Sequence, residues 1–144
     1  MTSAPDQSNT PTEGIRNPMR RVGVLAHPTR PNTAPLAESI ATTLSAHGIE
    51  TWFRSSWDEI TVRDDVQSAD MLVAIGGDGA MLKAARVGAP FGVPVLGVNM
   101  GRLGFLTEVA RPDDWEAHLE RVLQGDYWIE KRMMIRVHIQ QHTE

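Results

Sequence analysis

Met71-Leu72-Val73-Ala74-Ile75-Gly76-Gly77-Asp78-Gly79 is the stretch that decides the fold. Its five apolar residues predict a buried strand, and the three glycines that follow predict a tight turn at the end of that strand. Glycine adopts positive φ without steric penalty, so consecutive N–H groups can turn inward and form a nest for an anion. We therefore expect Gly76, Gly77 and Gly79 to cradle phosphate. Asp78 then either faces the ligand crevice or caps the next helix.

A second glycine-spaced loop follows another apolar strand, Pro94 to Val98. It reads Gly97-Val98-Asn99-Met100-Gly101-Arg102-Leu103-Gly104-Phe105-Leu106. Two such loops at the ends of successive strands predict a nucleotide crevice, because ligands of open α/β sheets bind at the carboxyl ends of the strands. The Asn99 amide both donates and accepts hydrogen bonds, which suits a ribose or adenine edge, although it can also bond its own loop. We expect Gly101 to need positive φ, and Leu103, Phe105 and Leu106 to anchor the loop in the core. Arg102 either pairs with phosphate or is an ordinary exposed arginine.

The rest of the chain alternates strand and helix patterns. Strands are predicted at Arg21 to Ala26 and at Glu50 to Arg54, and the stretch from there to Ala69 gives no clear pattern. Helices are predicted by apolar spacing at three places, and a glycine ends each of them, with Gly48 in the left-handed conformation; these helices run from Leu36 to Leu44 before Gly48, from Ala80 to Val87 before Gly88, and from a capping-box-like Asp113-Asp114-Trp115-Glu116 to Gly125. The order predicts an α/β fold with an open, mainly parallel sheet and flanking helices.

Composition excludes several classes of protein. The 144 residues carry 14 basic and 18 acidic side chains, and this net charge of −4 argues against a nucleic acid polymer as partner. There is no cysteine, hence no disulfide framework or thiolate metal site. No apolar run approaches the roughly 20 residues that span a bilayer. Residues 1–19 are rich in Ser, Thr, Pro, Asn and Gln and lack a signal-peptide core, so we expect a disordered tail there. With the absence of cysteine, this favours a cytoplasmic protein without membrane contact.

The carboxyl end departs from the α/β alternation. Met134 to Gln140 alternates apolar and polar residues like a half-buried strand, but no partner strand follows it. We place a domain boundary near Gly125 and Asp126, with an α/β nucleotide-binding domain at 20–125. Residues 126–144 would then be the first strand of a truncated, β-rich second domain. On this interpretation the chain is a fragment that is inactive by itself.

The two glycine loops resemble the signatures of the NAD kinase family, which are a Gly-Gly-Asp-Gly loop and a Gly-(Val/Ile)-Asn-x-Gly-x-Leu-Gly-Phe-Leu segment. Lys131-Arg132-Met133-Met134 is similar to the start of the family's second domain. The resemblance covers residues 20 to 144 and implies the fold shared by NAD kinases and diacylglycerol kinases. One position departs from the family pattern: Ala80 stands where the family has Thr, so any contact that this hydroxyl makes is absent.

The resemblance implies an enzyme that transfers the terminal phosphoryl group of ATP, or of polyphosphate, to the adenosine-ribose 2′-hydroxyl of NAD to form NADP. It implies a divalent metal, Mg²⁺, as cofactor, NAD and ATP as small-molecule partners, and a homo-oligomer when the protein is full length. Asp78 is the expected catalytic residue, as the base that orients the acceptor hydroxyl, although a structural cap or a metal contact are alternatives.

Other residues are assigned with less specific signals. The resemblance places NAD against Asp78, Gly79, Lys83 and Asn99, although a lysine on a helix is ordinarily a solvated surface residue. His27 and Arg30 follow the first strand and face the expected crevice, where they touch substrate or simply cap the loop. No metal ligand is assigned.

Two other functions remain open at this point. A lipid or sugar kinase can share the Gly-Gly-Asp-Gly loop, and the segment from Gly97 to Leu106 argues against it. The other is a nucleotide-binding module without chemistry, for which Ala80 would mark a decayed site. Binding without turnover would distinguish this module from either kinase.

Overall fold

The computed structural model describes residues 18–55, 57–101 and 104–140. Within them, four parallel strands form one sheet in the order β2-β1-β3-β4. Helices and short 3₁₀ turns connect the strands; the elements are β1 (Arg21–Leu25), α1 (Ala34–Ala46), β2 (Glu50–Arg54), α2 (Arg63–Gln67), β3 (Met71–Gly76), α3 (Asp78–Gly88), β4 (Val95–Asn99) and α4 (Trp115–Leu123). The predicted α/β fold with an open parallel sheet is confirmed.

The strand order reverses between β1 and β3. From β1 the chain crosses to β2 on one side, whereas β3 and then β4 add on the other side. Loops that leave β1 and β3 at their carboxyl ends therefore diverge and leave a crevice, which is where open α/β sheets bind ligands. The β4 loop joins the same edge, because Gly76 at the end of β3 pairs with Asn99 at the end of β4.

Hydrophobic clusters cover both faces of the sheet, because successive strand residues point to opposite sides. Val22, Val24 and Val73 belong to the cluster that includes Ile40 of α1 and Leu119 of α4. The cluster on the other face joins residues of β1 and β3 to the segment before α2, to α2 itself and to α3; its members include Leu25, Leu72, Trp57, Val66 and Ala84.

Glycine matters on the second face at one position. A Cβ at Gly23 would lie 2.2 Å from the Trp52 ring, so only glycine lets this indole lie flat on β1. The predicted helix ends at Gly48 and Gly125 are also confirmed, with φ of 79° and 74°. The stretch without a clear pattern contains α2.

Two local predictions were wrong. No strand forms over Met134–Gln140; the described residues after Tyr127 have no regular secondary structure and are exposed, and no described strand lies beside them to complete the ladder. At the start of α4 no side chain caps the helix, because Asp113 of the predicted capping box lies inside the 3₁₀ turn Pro112–Asp114 that leads into α4. The division at Gly125 and Asp126 and the second domain stay predictions, and residues 1–17 of the expected tail lie outside the described residues.

Candidate active site at the carboxyl edge of the sheet

The β3 loop takes the tight turn that its glycines predict. Gly76 has φ 153°, a conformation that side chains rarely adopt, and a Cβ there would lie 2.7 Å from the Cβ of buried Ala80. Gly77 is the N-cap of α3, and its carbonyl accepts the first helical bond from Met81. Asp78 is therefore the first residue of the helix rather than its cap.

The Asp78 carboxylate binds the second glycine loop. Its two oxygens accept the backbone N–H of Phe105 at 3.0 Å each, and Oδ1 also accepts the N–H of Leu106 at 2.9 Å. The N–H group of Phe105 has the largest effect and that of Leu106 the next largest, and together they hold the pKa of Asp78 below its ordinary value. Asp78 is thus ionised at neutral pH and joins the two motif loops.

Gly104 makes this contact possible. A Cβ at position 104 would lie 2.4 Å from Oδ1 of Asp78, so any side chain there would displace the carboxylate.

The predictions for two neighbouring residues of the β4 loop were wrong. Phe105 is 94% exposed and is not a core anchor, and Gly101 does not have positive φ. Arg102 and Leu103 lie outside the described residues.

A cavity of about 450 Å³ opens at this edge between the loops of β1, β3 and β4. The described residues that line it are Arg30, Gly76, Gly77, Asn99 and Gly101, and none of these is acidic. Asn99 is buried, and its Oδ1 accepts the N–H of Gly101 at 3.2 Å, which is the loop bond expected as its alternative role. The predicted Gly76, Gly77 and Asn99 are therefore brought together, and Asp78 lies beside them.

Lys83 lies one turn further along α3. Its ammonium lies 4.8 Å from the centroid of the Trp57 ring, a distance at which the ring attracts a cation. Trp57 is itself buried, and its indole N–H donates to the carbonyl of Ala26 at 2.8 Å, just after β1. Lys83 is thus half-buried and lies against the Trp57 ring.

The β1 loop is held together by buried Thr33. Its hydroxyl donates to the Arg30 carbonyl at 2.7 Å and accepts the His27 N–H at 2.8 Å. The imidazole of His27 lies against Gly76, where an added Cβ would be 3.2 Å from its Cδ2. Burial, with the nearby charges of Arg30 and Lys83, lowers the pKa of His27. At neutral pH His27 is therefore uncharged.

Sequence reasoning missed three residues of this site: Thr33, Trp57 and Gly104. Thr33 lies in a 3₁₀ turn before a helix, where a threonine has many local roles. Trp57 lies in the stretch without a clear pattern. Gly104 carried a usable signal, because a glycine one residue before two amides that bind a carboxylate must leave room for that carboxylate.

Comparison with known proteins identifies the family. The family model described as the ATP-NAD kinase N-terminal domain matches residues 22–127. This range includes both glycine loops, β2 to β4 and all of β1 except Arg21. The chain belongs to the NAD kinase family.

Several NAD kinases are similar to this chain along much of its length. The NAD kinase of Dehalococcoides mccartyi is 35% identical over 123 residues, which cover 85% of this chain and 43% of the relative. That of Pseudoalteromonas translucida is 38% identical over 138 residues, covering 89% of this chain and 47% of the relative. A 78-residue match to the NAD kinase of Heliobacterium modesticaldum reaches 53% identity. The chain thus spans less than half of the length of these NAD kinases.

The Mg²⁺ expected for an NAD kinase has no protein-built site in the described ranges. No three His, Asp or Glu side chains come together there in a group that could hold a metal ion. The carboxylate nearest the crevice, Asp78, is already engaged by backbone N–H groups. The described residues therefore provide no cage of three side-chain ligands for a metal ion. In the same ranges no helix is long and apolar enough to cross a membrane.

Proposed function

We propose that this chain forms the nucleotide-binding part of an NAD kinase that phosphorylates the adenosine-ribose 2′-hydroxyl of NAD. One observation carries the proposal: the Asp78 carboxylate joins the β3 and β4 loops beside a cavity lined by Gly76, Gly77 and Asn99. A carboxylate beside a lining of backbone N–H groups and an amide suits a reaction between a sugar hydroxyl and a phosphate.

In the proposed reaction the ribose 2′-oxygen attacks the terminal phosphorus of ATP or polyphosphate. A new oxygen–phosphorus bond forms, and the bond from that phosphorus to its bridging oxygen breaks, so that ADP or the shortened polyphosphate leaves. The hydroxyl proton passes to the Asp78 carboxylate. Because the pKa of Asp78 is lowered, the carboxylate is a weak base, so we assign it mainly to orienting the hydroxyl and to accepting the proton late in the transfer.

The remaining residues bind the reactants. The N–H groups of Gly76, Gly77 and Gly79 donate hydrogen bonds to phosphate oxygens at the start of α3, where the helix dipole also favours negative charge. Gly79, Lys83 and Asn99 would contact NAD together with Asp78, with Lys83 leaving the Trp57 ring to do so. Mg²⁺, the cytoplasmic location and self-association stay predictions of the resemblance, and no step here depends on them.

A panel of donors and acceptors tests this proposal in a protein that contains this chain within the full length of its relatives. We expect ATP or polyphosphate to phosphorylate NAD, and diacylglycerol and fructose 6-phosphate to stay unmodified. NADP formation is followed by a coupled NADP-specific dehydrogenase. Phosphorylation of a lipid or a sugar in preference to NAD would overturn the proposal. Nucleotide binding without a product from any acceptor would instead identify a binding module.

A further inference from the structure

Four hydrogen bonds hold the β1 loop, which runs from His27 to Thr33. Besides the two bonds of the Thr33 hydroxyl, the Arg30 carbonyl accepts the Thr33 N–H at 3.0 Å, and the Arg30 N–H donates to the His27 carbonyl at 3.2 Å. Thr33 is fully buried, so its hydroxyl makes these bonds without competition from water. The backbone of Arg30 is therefore anchored from both sides.

The guanidinium of Arg30 is an available charge at the cavity. Six described arginines form ion pairs with carboxylates; they are Arg21, Arg54, Arg86, Arg111, Arg121 and Arg132. Over the described ranges Arg30 has no such partner, and it lines the same cavity as Gly76 and Gly77. The fixed fork of a guanidinium binds phosphate oxygens in pairs, which a lysine ammonium does not do.

The surroundings of Arg30 favour an anion. Among the lining residues that the structure describes none carries a carboxylate, and the Asp78 oxygens accept from Phe105 and Leu106. Both Arg30 and Lys83 act on the imidazole of His27, whose Nδ1 accepts the Thr29 N–H at 3.2 Å. Arg30 thus lines a cavity of about 450 Å³, within the size range of small-molecule sites, and a second cation, Lys83, acts with it on the neighbouring imidazole.

We propose that the β1 loop forms a subsite for the phosphate chain of the phosphoryl donor, with Arg30 as the anion contact and Thr33 as the residue that positions it. This inference rests on the proposed function, because it assigns the β1 side of the same crevice to the donor rather than to NAD. ATP and polyphosphate both contain a chain of phosphates, so the subsite recognises the charge of these phosphates rather than the nucleoside.

Calorimetry on the 144-residue chain tests the subsite, with inorganic tripolyphosphate and ATP as separate probes. Arg30→Ala should weaken the binding of both probes by about tenfold or more, as expected for a hydrogen bond between charged groups. Arg63→Ala is the matched control, because Arg63 also lacks a carboxylate partner in the described part but lies over Phe91, away from the crevice. NAD binding should change less than twofold in both variants.

Thr33 variants test the positioning role. Thr33→Ser keeps the hydroxyl and should bind tripolyphosphate like the unchanged chain, whereas Thr33→Val should lose affinity in the direction of Arg30→Ala. Titration of the His27 imidazole by NMR adds a readout that does not depend on Thr33. Because Arg30 and Lys83 face this imidazole, tripolyphosphate should offset their charge and raise the pKa of His27.

Several outcomes would overturn the subsite. In the first two, the unchanged chain fails to bind tripolyphosphate, or Arg30→Ala and Arg63→Ala bind tripolyphosphate with equal affinity. In the others, Arg30→Ala loses affinity for ATP but not for tripolyphosphate, or the pKa of His27 stays the same when tripolyphosphate is added. In the full-length protein, Arg30→Ala should raise the KM for the phosphoryl donor and leave the KM for NAD unchanged. Tripolyphosphate binding through Arg30 without any NADP formation would retain the subsite while rejecting the proposed function.

Discussion

At the scale of single residues, Asp78 has two tasks that compete for the same oxygen atoms. A carboxylate offers about four lone-pair positions, and the Phe105 and Leu106 N–H groups make three contacts with them. A ribose hydroxyl must therefore share the carboxylate with the β4 loop. Binding of the acceptor and the position of this loop are linked through one side chain.

Replacing Asp78 by asparagine should separate binding from catalysis. In the full-length protein, Asp78→Asn should lower the turnover number by on the order of a hundredfold or more, because an amide does not accept the hydroxyl proton. NAD affinity should stay within about tenfold. Asp113→Asn, an exposed position on the turn before α4, is the control. Steady-state kinetics measure both quantities, and near-normal turnover in Asp78→Asn would exclude Asp78 as the base.

Gly104 allows the contact between the loops to be tested without altering the carboxylate. Gly104→Ala places a Cβ where Oδ1 of Asp78 now lies, so the bonds to Phe105 and Leu106 should break. Since these bonds lower the pKa of Asp78, that pKa should rise towards its ordinary value near 3.8. Gly101→Ala meets no atom within 4 Å and is the control. NMR titration of the Asp78 carboxyl carbon measures the change.

The same pKa gives the pH dependence. A carboxylate whose pKa is lower in the folded state adds stability above its unfolded pKa, and this contribution is lost as the pH falls through the lower, folded value. The contact between the loops should therefore persist at neutral pH and weaken only in acid, below 3.8. An acid titration of the Gly104 variant that matches the unchanged chain would contradict this assignment.

At the scale of elements, Trp57 connects the segment before α2 to the end of β1. Trp57→Phe removes the N–H that donates to the Ala26 carbonyl and leaves that buried acceptor without its partner. Loss of such a bond costs about 1 to 3 kcal/mol in the free energy of unfolding, which urea denaturation measures. Trp128→Phe is the control, because Trp128 is 70% exposed. Equal stabilities of the two variants would show that the bond contributes nothing.

Elements built from local patterns were predicted well from the sequence. β3 is a continuous apolar run, α1 shows helical spacing before Gly48, and both were correctly placed. The bond from Asp78 to Phe105 was not predicted, since it joins two loops whose spacing along the chain says nothing of their separation in space. The alternation from Met134 to Gln140 was misleading for the opposite reason. It is a local pattern, but a strand also requires a neighbouring strand for hydrogen bonding.

At the scale of the whole molecule, a compact body is followed by an exposed segment. Apolar side chains from Trp128 to Ile139 are at least 49% exposed, whereas the sheet and its helices enclose two buried clusters. Among the described residues, trypsin should therefore cut first after Lys131, Arg132 and Arg136. The body should remain intact up to about Asp126, because folded backbone fits poorly into a protease. Mass spectrometry of a limited digest identifies the products.

Arg54 and Arg86 are internal controls for the digest. Both form ion pairs on the folded body, so cleavage after them should be much slower than after Lys131. A single resistant species that still contains Arg136 would contradict the exposed segment.

The strand order also determines when this fold can form during synthesis. β1 leaves the ribosome first, but its two neighbours follow later: Arg21 pairs with Glu50, and Val22 pairs with Met71. The pair of β1 and β2 has neither β3 nor α3 to cover it, and two strands alone are only marginally stable. Val22 and Val24 of the nascent chain therefore stay exposed, and able to associate with other chains, until β3 has emerged. Translation speed through α2 and β3 would then influence the yield of folded protein more than the speed through β1.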